Sequence, residues 1–125
     1  MAVTINNGSF DAPAVYKDKA VRNTVVCIKA SPMELTGWRI SNPNSTVAVL
    51  KFFDASSASS VTLGTTEAVK EFQIPSQGEI HVGHLRGSSL FYFSAGCCMA
   101  ATTSLETSAT GSPILSLDVE IYYQK

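Results

Sequence analysis

Residues 115–123 alternate strictly, with Leu115, Leu117, Val119, Ile121 and Tyr123 set against Ser116, Asp118, Glu120 and Tyr122. A period of two marks an extended chain with one covered and one wet face, because successive side chains of a strand point to opposite sides. Residues 34–41 repeat the device, placing Thr36, Trp38 and Ile40 on one face and Leu35, Gly37 and Arg39 on the other. Further β-rich runs fall at 24–30, 46–54, 69–74, 79–82, 90–94 and 97–102. Turn signals separate them: Asn42-Pro43-Asn44-Ser45, Pro75-Ser76-Gln77-Gly78 and Ala95-Gly96. No segment keeps apolar residues at three-and-four spacing for several turns, so no amphipathic helix is expected. The pattern predicts an all-β chain: a single-domain antiparallel β-sandwich or jelly roll of about eight strands over residues 24–125. Residues 1–23, with Asn6-Asn7-Gly8, Pro13 and Lys17-Asp18-Lys19, read as an N-terminal arm or irregular lead-in in which Val15 and Tyr16 dock on something.

The run at 46–54 breaks the alternation. Its even face holds Ala48, Leu50 and Phe52, and its odd face holds Val47, Val49 and Phe53 around Lys51. A strand with one wet face would show polar residues at every second position. One face is therefore expected in the core and the other under a cover, either the chain's own loops or another subunit. Val47, Val49, Lys51 and Phe53, with Val15, Tyr16 and Tyr122, are the expected oligomer or partner interface. The two long Ser/Ala/Thr-rich loops, 55–66 and 103–113, are the expected touching points for a partner.

Composition narrows the function. The 125 residues suit one domain, and 15% charged residues is low for a globular protein. A surface of neutral hydroxyl and amide groups costs less to desolvate against other protein. Net charge is −1 and the nine Lys and Arg residues are scattered, so no basic stripe is built for a phosphate backbone. Nucleic acid is not an expected partner, and neither is a membrane, since no apolar run reaches spanning length. The start lacks the basic and apolar regions of a signal peptide, which reads as a protein made in a cytoplasm.

No catalytic constellation emerges, and no enzyme activity, metal or cofactor is expected. His81 and His84 are three apart near a turn, which sets them on opposite faces of a strand without a completing Cys, Asp or Glu. There is no Gly-x-Ser-x-Gly elbow and no Gly-rich loop opening a helix. Cys27, Cys97 and Cys98 read as small apolar fillers of a reduced protein, with a bridge from Cys27 to one of the pair left open. Among aromatics, Trp38, Phe52, Phe72, Phe91 and Phe93 lie on apolar faces, and Tyr122 is the expected exposed ring.

Residues 35–54, Leu-Thr-Gly-Trp-Arg-Ile-Ser-Asn-Pro-Asn-Ser-Thr-Val-Ala-Val-Leu-Lys-Phe-Phe-Asp, combine a Gly-containing strand, an Asn-rich turn and a Leu-Lys-aromatic-aromatic-Asp strand. They are followed by a Ser/Ala/Thr loop reaching Gly64-Thr65-Thr66, a strand reaching Ile74-Pro75, and a closing apolar strand with Tyr and Lys near its end. This arrangement resembles small virion proteins of tailed bacteriophages, and among them capsid decoration (cement) proteins. Val49 stands where an aromatic is usual in that pattern, and Ala68 where a proline is usual. The resemblance implies a structural virion protein on the outer surface of the head. Its partners would be the major capsid protein and copies of itself, a trimer suiting three-fold seams better than a dimer. A tail, fibre or baseplate component, with receptor or carbohydrate binding, is the alternative.

Overall fold

The structure is a computed structural model that describes residues 2–6, 14–83 and 90–124, with residues 4–6 described by backbone alone. Among the described residues ten strands form: β1 (Ala2–Asn6), β2 (Ala14–Val21), β3 (Val26–Lys29), β4 (Met33–Asn42), β5 (Ala48–Asp54), β6 (Lys70–Ile74), β7 (Gly78–Val82), β8 (Phe91–Phe93), β9 (Cys97–Thr102) and β10 (Leu117–Gln124). They build two antiparallel sheets that face each other as a sandwich. One runs β1-β2-β10-β4-β7, with β8 pairing β4 beyond β7, and the other runs β3-β9-β5-β6. All eight strand regions expected from the sequence are present. Among the described residues the single helical element is a 3-10 turn at Ala58–Ser60 inside the first long loop.

The N-terminal expectation needs correction. Residues 14–21 are a full strand lying between β1 and β10, not an irregular lead-in. Tyr16 stands opposite Ile121 and is 6% exposed, so it joins the core of its own chain. Alternation in this strand is obscured because Asp18 also points inward, where it accepts the Tyr16 hydroxyl at 3.4 Å and the Ala20 N–H at 2.9 Å. Burial and the neighbouring carboxylate push the Tyr16 phenol up to about 12.

β10 buries Leu117, Val119, Ile121 and Tyr123, as its period of two predicts, but Leu115, expected on the same face, precedes the strand and is 49% exposed. The main core closes between the sheets, with β4 and β10 facing Leu50, Phe52, Ile74, Met99 and Ala101. Aromatic rings bridge the layers: Trp38 meets Phe72 at 4.4 Å between centroids, and Phe52 meets Phe93 at 6.2 Å. Gly37 sits where β7 leaves β4, and a Cβ there would lie 2.6 Å from the Val82 carbonyl oxygen. Only glycine lets the backbones approach that closely.

β5 and β9 are buried on both faces. The cover over their outer side comes from the same chain. Val61, Leu63, Ala55 and Ala68 of the first long loop pack with Phe53, Cys98 and Ala100 into a second small core. The second long loop reaches across as well, since the buried Lys51 ammonium donates to the Glu106 carbonyl. The two loops meet at Gly64, whose φ of +94° admits glycine most readily and whose missing side chain leaves room for Thr110. The four-stranded sheet is thus roofed by its own connections. Val49, Lys51 and Phe53 are 1%, 2% and 1% exposed, and the expectation that they form an intermolecular interface is overturned.

Candidate functional site

Two connections cross from one sheet to the other at the same end of the sandwich. One is the stretch between β4 and β5, and the other is the tight turn between β6 and β7. Asn42 and Asn44, 2% and 5% exposed, lace them together. The Asn42 Nδ2 donates to the carbonyls of Thr46 at 3.0 Å, Ile74 at 3.2 Å and Pro75 at 3.1 Å. Its Oδ1 accepts the Asn44 N–H at 2.9 Å and the Asn44 Nδ2 at 2.8 Å. Asn44 then pairs with the backbone of Leu115 in both directions, donating to its carbonyl at 2.9 Å and accepting its N–H at 2.7 Å. The Asn44 carbonyl accepts the Gln77 N–H at 2.9 Å, and Gln77 is held at φ +50°. Three chain segments therefore share one buried amide hub. Such a network is rigid, because the buried Asn42 and Asn44 amides would lose their partners if the segments separated.

The hub fixes what stands on it. Ile114 and Leu115 are 83% and 49% exposed. They are pinned by Asn44 on one side, and on the other by Arg22, which donates to the Ile114 carbonyl and to Ser116 Oγ. A shallow open cleft of about 460 Å³ lies at the corner, lined by Ser41, Asn42, Pro43, Gln77, Gly78 and Glu79.

Beside that cleft, the face of the six-stranded sheet turned away from the core carries a charge network centred on Arg39. Its guanidinium lies 3.3 Å from Glu79 on β7, and 3.2 Å and 3.0 Å from Asp118 and Glu120 on β10. Ser41 Oγ accepts from Arg39 at 2.9 Å and donates to Glu79 at 2.6 Å. Partial burial opposes ionisation of Glu120, but hydrogen bonds from Arg39 and Tyr122 outweigh it and hold this carboxyl below its usual range. Glu79 is lowered first by the Ser41 hydroxyl and then by Arg39. Replacing Arg39 with methionine is expected to cost about 1 kcal/mol at neutral pH, the upper end for partly exposed ion pairs. The loss should shrink as pH falls. The lowered carboxylates stabilise the fold above their ordinary value of 4.5 and stop doing so as pH drops through their folded values. Urea titrations of both proteins at pH 7 and pH 3.5 would check this, and an equal gap at the two pH values would contradict it.

The remaining expected site residues are dispersed. Val47 is 37% exposed at the edge of the corner. Val15 is half-buried opposite Tyr122. Tyr122 is not an exposed ring: it is half-buried opposite Gly37 in the β10–β4 register, and its hydroxyl donates to Glu120 at 2.9 Å. Tyr92, 57% exposed, is the outward ring instead. His81 is exposed on β7, and His84 lies outside the described residues. Among the described residues no three His, Cys, Asp or Glu side chains are grouped to hold a metal ion, and no helix is long and apolar enough to cross a membrane.

The buried amides were legible only as a turn. Asn is favoured in turns for its own local bonds, and nothing in their spacing announces three remote carbonyl partners. Comparison with family models, curated proteins and solved structures yields no match.

Proposed function

We propose that the chain is a structural protein of a tailed-phage virion, a capsid decoration protein that binds the assembled head and stabilises it. The observation that carries this reading is the resemblance of residues 35–54, a stretch that coincides with β4, the amide corner and β5. The part of the sequence with the virion-protein pattern is thus the part that joins the two sheets and holds the corner rigid. A protein that binds only the assembled shell stabilises it by mass action, and repeated copies add avidity. No chemistry is required of such a protein, only a firm surface.

The roofed face around Lys51 is excluded as that surface, so the contact moves to the corner. Ile114 and Leu115 offer apolar area on a preorganised backbone, which lowers the ordering cost of association. The partners are the major capsid protein and further copies of the chain around a symmetry axis.

The test is addition of the purified protein to shells that lack it, followed by sedimentation and thermal disruption of the shells. Saturable binding and a higher disruption temperature are expected. The double variant Ile114→Ser, Leu115→Ser should fold normally and bind roughly tenfold or more weakly, the scale of a contact hot spot. A stable monomer that fails to bind shells would end this reading.

A further inference from the structure

Cys27 on β3 and Cys98 on β9 stand directly opposite each other in the strand register. Opposite residues of an antiparallel pair have Cα atoms about 4.5–5.5 Å apart, inside the span of about 4.4–6.8 Å that a disulfide bridges. Both side chains lie on the roofed face of the four-stranded sheet, where Cys98 belongs to the second core and Cys27 packs against it. Cys97 is one residue away and therefore points to the other side, into the main core, in register with Lys29. The two facing thiols lie under the first residues of the roof. Cys27 Sγ donates to the Ser56 carbonyl at 3.7 Å and Cys98 Sγ to the Ala55 carbonyl at 3.4 Å. Cys27 is half-buried, Cys98 is fully buried, and neither is bridged.

We propose that Cys27 and Cys98 form a dithiol site that reacts with a small-molecule disulfide and closes into an intramolecular bond. Cys27, the accessible partner, loses its proton to solvent and attacks one sulfur of the small disulfide. That sulfur–sulfur bond breaks, and one small thiolate leaves and takes up a proton. Cys98 then gives up its proton and attacks the Cys27 sulfur, which releases the second small thiol. The two protein thiols are oxidised by two electrons, and the small disulfide is reduced to two thiols. Burial, then the adjacent Cys27 thiol, push Cys98 up to about 12, so it waits as a thiol until the mixed disulfide forms beside it.

The bond would act at an edge of the four-stranded sheet. Among the described residues β3, four residues long, is an edge strand that pairs with β9 alone. A cross-strand bridge clamps that edge, while the Ala55 and Ser56 carbonyls lose their thiol donors. Oxidation therefore fixes β3 and frees the start of the roof.

The native protein would be incubated with oxidised glutathione, the remaining thiols alkylated, and the mass and peptide map recorded. Alkylation should fall from three cysteines to one, with a mass about 2 Da lower before alkylation, as two thiols become one disulfide. Fragment ions of the linked peptides should join Cys27 to Cys98. Cys97→Ser should react as the parent does, whereas Cys27→Ser should leave Cys98 unreactive. A bond to Cys97, a persisting glutathione adduct on Cys27, or no reaction under native conditions would overturn the proposal. The map of the unmutated protein decides this even where a variant folds poorly.

Discussion

Replacing Asn42 with alanine is expected to destabilise the protein by about 3–4 kcal/mol, enough to unfold a marginal domain at ordinary temperature. The side chain serves five bonds at once, to Thr46, Ile74, Pro75 and twice to Asn44. An alanine takes a donor from the carbonyls of Thr46, Ile74 and Pro75, of which Pro75 keeps the Gly78 N–H, and an acceptor from the Asn44 N–H; each buried group left unpaired costs about 1–3 kcal/mol. Asn44→Ala should cost less, about 2 kcal/mol, because it chiefly releases the backbone of Leu115. The double variant should fall short of the sum of the two, since both act on one network. Denaturant unfolding of the four proteins would measure this cycle. A loss below about 1 kcal/mol for Asn42→Ala would show that water reaches the corner and satisfies the freed groups. The same variants bear on the proposed shell contact, because loosening Leu115 should weaken binding before the sandwich itself unfolds.

The second large effect is expected at Lys51. Its side chain is 2% exposed, its ammonium donates to the Glu106 carbonyl, and Glu71 lies 3.8 Å away. Lys51→Ala should cost about 2–4 kcal/mol, combining a cavity in the second layer with an unpaired carbonyl. Lys51→Met keeps the volume and removes the charge. The Glu106 carbonyl still loses its donor, while Glu71, with a side chain 31% exposed, can turn to water, so this variant should cost about 1–2 kcal/mol and less than alanine. In both variants amide exchange around Glu106 should quicken, since the tether to the second loop is gone. If methionine is as damaging as alanine, the ammonium rather than the stem holds the roof. If neither variant changes exchange at Glu106, the tether carries no weight.

The strand pattern was readable because it is local. Residues 115–123 alternate, and β10 buries Leu117, Val119, Ile121 and Tyr123 as that alternation demands. Trp38 and Phe93 were likewise legible as core from the faces they share with other apolar residues. β2 escaped because an inward Asp18 and flanking lysines hide its period. Its identity as a strand comes from pairing with a segment about a hundred residues away. The candidate site was less legible still. Asn42 and Asn44 looked like any turn, and Arg39 looked like one scattered cation until β7 and β10 brought three carboxylates around it.

The odd face of β5 shows where local information stops. Its composition already required a cover for Val49, Lys51 and Phe53, because apolar area left in water at every second position is unfavourable on either side of a strand. Whether loops or a second molecule supplied the cover depended on long-range contacts that no run of nine residues encodes. In the folded chain, residues 55–69 and the loop containing Glu106 close over that face. The sequence thus settled that this is an all-β chain with a strand demanding burial on both sides. Folding in three dimensions settled that the chain satisfies the demand from within, and it left Ile114 and Leu115, held by Asn44 and Arg22, as the apolar pair turned outward at the corner.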